Sequence, residues 1–191
     1  MKGTHRQASG GWSLPELLLV LAIGMTLVAV MLQALLGDGR ASQRLARVLR
    51  ERIQQRRTLE LVRADLLRAE VVDLPAQAWS GVASSCGLAG RRPALRLRTA
   101  QGLITYTQGE APSPIWRGKV LMRCGPAYGL DGEPSSGDVQ NRVLIDALPL
   151  SGFQVESLGP LWLRVRLVQE FQEPGGGRLR VALQQELASG G

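Results

Sequence analysis

The residues best placed to do chemistry stand near the start of the chain. Gly11-Trp12-Ser13-Leu14-Pro15-Glu16 runs directly into twenty uncharged residues, Leu17 to Leu36, of which only Thr26 and Gln33 are polar. A carboxylate at the edge of hydrocarbon is costly unless it is neutralised or paired. Glu16 therefore needs either the positive end of a helix or a cationic partner. Ser13 is suited to the N-cap of that helix, and Pro15 to its first turn, where a missing N–H costs nothing.

Elsewhere the chemical inventory is thin. The one histidine, His5, lies before the apolar run. That excludes histidine-based catalysis or a multi-histidine metal site in the body of the chain. Cys86 and Cys124 are too few for a four-cysteine zinc site, and Ser84-Ser85-Cys86 has no histidine partner outside the first residues. No phosphate loop, GxSxG, HExxH or CxxC is present. Asp131, Glu133 and Asp138 lie in a stretch rich in Gly, Pro, Ser and Asp, Gly125 to Asn141, that reads as a surface loop. Their spacing does not fit an EF-hand. The expectation is a protein that is not an enzyme, with no cofactor and no resident metal.

The elements that must position Glu16 come next. The chain has 191 residues and a formal net charge of +7, and 21 of its 23 basic residues are arginine. With 45% apolar and 20% charged residues it is neither disordered nor highly charged. As a helix the run Leu17 to Leu36 rises roughly 30 Å, the thickness of a bilayer core. It is too long for the apolar region of a secretory signal peptide, and Asp38-Gly39-Arg40 is a poor cleavage site. Lys2 and Arg6 precede the run, whereas Arg40, Arg44, Arg47, Arg50 and Arg52 follow it. A simple count of positive charge would put the C-terminal side in the cytoplasm.

The Gly11-to-Glu16 motif and its apolar continuation resemble the class III signal of type IV prepilins and pseudopilins. In that family a membrane aspartyl peptidase cuts after the glycine on the cytoplasmic side and N-methylates the new first residue. The resemblance implies that residues 1–11 are a leader, that the cut falls between Gly11 and Trp12, and that Trp12 becomes the first mature residue. The family usually has Phe there. Cleavage after Gly10 would displace Glu16 from the fifth mature position, which favours Gly11. Glu16 would then pair with the free amine of a neighbouring subunit during assembly. The implied partners are the prepilin peptidase, other pilin or pseudopilin subunits, and membrane lipid before assembly. The implied location is the inner membrane, single-pass, with the body outside the cytoplasm and later in a pilus or a type II secretion pseudopilus. Large exported domains translocate largely regardless of charge, which accommodates the arginines beyond the span.

Residues 12–37 are thus read as the membrane helix and residues 38–74 as an amphipathic helix ending at Pro75. Its apolar stripe is taken as Leu45, Val48, Leu49, Ile53, Leu59, Val62, Leu66, Leu67 and Val71. The opposite face carries nine arginines and five acids, including Glu51 and Asp65. Two readings of that face stand: a solvated surface with local ion pairs such as Arg47 with Glu51, or a surface for lipid headgroups, other subunits or DNA.

After Pro75 the period changes to two. Ala94 to Thr99, Leu103 to Thr107 and Leu161 to Leu167 alternate, with shorter candidates at Val120 to Arg123, Val143 to Ile145 and Phe153 to Val155. Gln101-Gly102 and Pro174 to Gly177 read as hairpin turns. One long helix followed by alternating strands predicts an α+β fold, with an antiparallel sheet over residues 75–191 packed on the helix. Three stretches are also similar to the W-type minor pilins and J-type pseudopilins of type II secretion: Arg63-Ala64-Asp65-Leu66-Leu67-Arg68-Ala69, Ile104-Thr105-Tyr106, and Arg142 to Asp146 with Phe153 to Val155. If the body is exported, Cys86 and Cys124 are expected to form a disulfide. Two free core cysteines are the alternative. The competing functional reading is a membrane-anchored binding domain, with DNA capture by the arginine-rich face.

Overall fold

The computed structural model describes residues 13–75, 86, 91–130, 132–173 and 176–190, and of residues 36–41 and 136–138 it describes the backbone alone. Gly11 and Trp12, Ser84-Ser85 and Asp131 lie outside the described residues. The chain divides into two units at Arg47/Val48.

In the first unit, helix α1 (Leu14–Leu67) opens with Leu14–Leu35, 22 residues long and apolar enough to cross a membrane. None of that window is buried in protein. In water, aliphatic side chains so exposed would each forgo the stabilisation that burial gives.

The second unit is the last part of α1 with two antiparallel sheets. Five strands lie in the order β1 (Ala69–Asp73), β2 (Arg91–Thr99), β3 (Gly102–Gly109), β4 (Lys119–Tyr128) and β5 (Pro134–Leu148). Three more follow as β6 (Phe153–Ser157), β7 (Trp162–Gln172) and β8 (Arg178–Ala188). The α+β expectation holds, with two sheets where one was expected. Both turns read from sequence join hairpins: Thr99 pairs with Gly102 across β2 and β3, and the Glu173 amide bonds to the Gly177 carbonyl between β7 and β8.

Alternation has its expected consequence in β7. Leu163, Val165 and Leu167 are buried, while Arg164 and Arg166 are not. These side chains join Leu59, Val62 and Leu66 of α1, Leu95 and Leu97 of β2, and Ile104 and Tyr106 of β3 in one core to which every element contributes.

Three sequence expectations are corrected. The helix stops at Leu67 rather than running to Leu74, and Ala69–Asp73 is a strand. The β-branched pair Val71-Val72 sits opposite Arg98 and Leu97 of β2, and Arg96 closes on Asp73 at 2.8 Å. Pairing with a formed strand overrides the helical propensity of Ala-Glu. The Leu66 carbonyl, near the helix end, accepts from the Gly190 amide at 2.9 Å.

The segment Gly125 to Asn141 is mostly ladder rather than loop. Gly125 pairs with Gln140 and Pro126 with Val139, leaving a short connection in which the Gly129 amide bonds to the Glu133 carbonyl. Its Gly, Pro and Ser residues hid a strand that follows β4.

The apolar stripe is also rotated. Leu49, Ile53 and Leu67 are exposed, whereas Glu51, Gln55, Thr58 and Asp65 are buried beside Leu59, Val62 and Leu66. At 3.6 residues per turn, the row continuing back from Leu66, Val62 and Leu59 meets Gln55 and Glu51. Half of the body-facing row is therefore polar. Glu51 and Asp65 leave the solvated face, and Glu51 pairs with Arg117 rather than Arg47.

Candidate functional site

The start of α1 positions Glu16. The Ser13 carbonyl accepts from the Glu16 and Leu17 amides at 3.0 and 3.2 Å. Glu16 Oε2 in turn accepts from the Ser13 amide at 3.0 Å and from Ser13 Oγ at 3.1 Å. The Glu16 half of a capping box thus forms, its carboxylate reaching back to the Ser13 amide, with the acid in the first turn where the helix dipole favours it. Ser13 stands at the N-cap position, but its hydroxyl donates to the Glu16 carboxylate rather than accepting from a helix amide. The carboxylate stands at the mouth of the apolar segment, exposed and held by local donors.

Within the body, three polar assemblies hold the helix and the sheets together. The first centres on Asp65, which is fully buried. Arg123 of β4 donates from Nε to Oδ2 at 2.7 Å and from Nη2 to Oδ1 at 3.0 Å. The Tyr106 hydroxyl donates to Oδ2, and the Tyr128 hydroxyl to Oδ1 at 2.6 Å. Arg123 Nη1 donates to the Pro126 carbonyl at 2.7 Å, and the guanidinium lies 5.1 Å from the Tyr128 ring centre. Burial pushes the Tyr106 phenol well above its ordinary range, and the Asp65 charge and hydrogen bond add to this. The same causes push Tyr128 up to about 12. Burial opposes the charge on Arg123, but Asp65 outweighs it and raises the guanidinium.

The second assembly joins Glu51 of α1 to both sheets. Arg117, just before β4, reaches Glu51 Oε1 at 3.4 Å. It also grips Asp146 of β5, with Nε to Oδ2 at 3.0 Å and Nη2 to Oδ1 at 2.9 Å. The hydrogen bond to Asp146 raises the Arg117 guanidinium. Gln169 of β7 donates to Glu51 Oε2 at 3.3 Å and to the Asp146 carbonyl at 3.0 Å. One turn along the helix, Gln55 donates to the Val181 carbonyl of β8 at 3.0 Å.

The third assembly is between sheets. Gln108 of β3 donates to the Pro149 carbonyl at 2.6 Å and accepts from the Phe153 amide at 2.8 Å.

Cys86 and Cys124 form a disulfide with their Cα atoms 5.7 Å apart, and both are buried. Cys124 is next to Arg123 on β4, so the bridge fastens to the strand that holds Asp65. The sequence pointed to Cys86, Cys124, Ser13 and Glu16. It gave no warning of Asp65, Arg123, Arg117 or Asp146. The stretches that hold Asp65 and Tyr106 stood out in sequence only by resemblance, and nothing in them showed that both tyrosines of the chain meet one helical carboxylate.

These assemblies join elements and present no nucleophile beside a base. Among the described residues, no three His, Cys, Asp or Glu side chains gather as a metal site. No protein-family model, curated protein or solved structure matches the chain.

Proposed function

We propose that this chain is a minor pilin or pseudopilin: a structural subunit processed by prepilin peptidase and assembled through its N-terminal helix into a type IV pilus or a type II secretion pseudopilus. The observation that carries the reading is the placement of Glu16. It sits in a Ser13–Glu16 cap at the head of a 22-residue apolar helix, five positions after Gly11. The cap also explains how the acid is tolerated there before assembly, since local N–H and O–H donors satisfy it. The amine created by cleavage after Gly11 would be a stronger partner, because a charge-assisted hydrogen bond exceeds a neutral one.

The body fits a structural role. Its buried acids Glu51 and Asp65 fasten the helix to the sheets, and the disulfide suits a domain outside the cytoplasm. In this reading the prepilin peptidase and the membrane are met first, and other subunits later.

The test is the mature N-terminus, read by mass spectrometry from a membrane fraction of the native host. A chain beginning at Trp12 with a methylated amine supports the reading. A chain beginning at Met1 overturns it and leaves a membrane-anchored β-domain. A second arm uses Glu16→Ala: a subunit that is cleaved and folded but no longer leaves the membrane supports the assembly role, and normal extraction refutes it.

A further inference from the structure

Trp162, at the start of β7, is 53% exposed, and among the described residues it is the only exposed aromatic. Aromatics are 4% of the chain, so an indole left in water rather than placed in the core calls for a reason. It lines a groove of about 370 Å³ with Glu60, Arg63 and Leu67 of α1 and Gln185 and Glu186 of β8. That volume is in the range of small-molecule sites.

The walls are tied together. The Ser189 amide donates to the Leu161 carbonyl at 2.9 Å, closing the start of β7 onto the end of β8. The Gly190 amide donates to the Leu66 carbonyl at 2.9 Å, fixing that end to α1. Further back, the Val181 carbonyl of β8 accepts from Gln55 of α1 at 3.0 Å, and so points away from β7. Strand residues direct their peptide groups to alternate sides, and β7 and β8 pair in continuous register. The peptide groups of Gln185 and Leu187 therefore also point toward α1, where they serve the groove. Glu60 and Arg63 have no ion pair among the described residues, whereas Glu186 is met by Arg164 at 2.9 Å. The groove is close to neutral, polar in its walls and apolar at Trp162 and Leu67.

These features select the occupant. A strand added to β8 would run into the Gln55–Val181 and Gly190–Leu66 bonds that tie α1 over it on both sides of the groove. An aliphatic ligand would strip water from Glu60 and Arg63 without replacing their hydrogen bonds. An anion, a nucleotide included, finds no net positive field and two carboxylates in the walls. A metal ion finds Arg63, and among the described residues no three His, Cys, Asp or Glu side chains gather. A sugar ring meets every requirement. Its C–H face lies on an indole, and its hydroxyls both donate and accept, so they suit carboxylate, guanidinium, amide and main-chain groups alike.

We propose that this groove binds an oligosaccharide of pyranose rings, with one ring stacked on Trp162 and its hydroxyls paired to Glu60, Arg63 and Gln185. The proposal goes beyond the subunit reading and does not rest on it.

The test is calorimetric titration of the full-length chain, in a detergent without a sugar headgroup, with cellotetraose and with chitotetraose. Their equatorial substituents leave the ring faces open for stacking. The expected result is saturable binding of at least one of them, at a Kd of about 1 mM or tighter. Trp162→Ala should weaken it about tenfold or more, and Trp162→Phe less. Gln185→Ala and Glu60→Ala should each weaken it roughly threefold to tenfold, the worth of one hydrogen bond. Arg166→Ala, outside the groove, should leave it unchanged. Trp162→Phe and Gln185→Ala carry the test if Trp162→Ala does not fold. No saturable binding to a chain whose Cys86–Cys124 bridge and thermal midpoint are intact overturns the proposal. So does binding that keeps its parental strength in folded Trp162→Ala. A parent chain that sediments as a dimer and a Trp162→Ala chain that sediments as a monomer would assign the groove to a second copy, and also overturn it.

Discussion

Asp65 and Arg123, 58 residues apart in sequence, form a two-pronged ion pair inside the body, with prongs of 2.7 and 3.0 Å. One partner rides on the helix and the other on the middle of β4, so the pair fixes the rotation of the helix about its axis as well as its depth. The two tyrosine hydroxyls complete the coordination of the carboxylate. No lone pair of Asp65 is left to water, which is the condition under which a buried charge is tolerated.

Removing the charge from Asp65 should be severe. Asp65→Asn leaves the Arg123 guanidinium buried without a counter-charge, a change that costs about 3–5 kcal/mol. Urea unfolding of the purified chain measures it. Adding Arg123→Gln should cost much less than the sum of the two single changes, because the sites are in contact. Full additivity would show that the pair is not coupled.

The alkaline limb of stability should report the same cluster. Tyr106 and Tyr128 are the only tyrosines. Both are raised above the ordinary phenol value of about 10, Tyr128 to about 12. The unfolded chain ionises first, so it binds fewer protons than the folded chain above pH about 10. The stabilisation is complete below that pH and is lost as pH rises through the folded values. Ultraviolet titration of the folded chain should show no tyrosinate step near pH 10, and the urea-unfolded chain should show both there. A folded-state step near the ordinary value would contradict the geometry.

Opening the disulfide should weaken the body without abolishing the sheets. The bridged residues are 38 apart, and closing a loop of that size stabilises by about 4 kcal/mol in the chain-entropy model. Cys86→Ser with Cys124→Ser should lower the urea midpoint accordingly, and reductant should lower that of the parent chain to the same value. Identical midpoints with and without reductant would show that the bridge carries no stability.

Gly152, just before β6, has no room for a side chain. A Cβ there would lie 2.7 Å from Leu148 Cβ and 2.9 Å from the Val168 carbonyl oxygen. The Val168 amide also bonds to the Gly152 carbonyl at 2.7 Å. Gly152→Ala should destabilise by about 1–3 kcal/mol, as overpacking does, while Gly159→Ala, in open space, should change stability by less than about 0.5 kcal/mol. Thermal unfolding of the two variants makes the comparison.

The parts of the fold legible in sequence were those with a strong period. Twenty uncharged residues announce the apolar helix, and Leu163-Arg164-Val165-Arg166-Leu167 announces β7. Ser13 and Glu16 were legible because a helix cap is local. What stayed hidden was set by distant partners. Ala69–Asp73 is a strand because β2 lies beside it, and Glu51 and Asp65 read as surface acids because their cations, Arg117 and Arg123, come 66 and 58 residues later. The rotation of α1 followed from the same cause. A polar row that is fully paired buries as well as an apolar one, and the period of hydrophobicity does not record it.

The hydrogen bond from Gln55 to Val181 spans 126 residues, and that separation sets an order of events. Every strand of each sheet lies beside its neighbour in sequence, so short chain closures suffice to form both sheets. Completing the seat of the helix at Gln55 requires β8, the last strand, and closing so long a loop carries a larger entropic cost. The hairpins should therefore form first and the Gln55–Val181 fastening last. Until the final dozen or so residues arrive, Gln55 lacks its acceptor and the Leu66 carbonyl lacks the Gly190 amide. A chain cut short at its C-terminus would keep the Asp65–Arg123 and Glu51–Arg117 pairs and lose the last two fastenings of its helix.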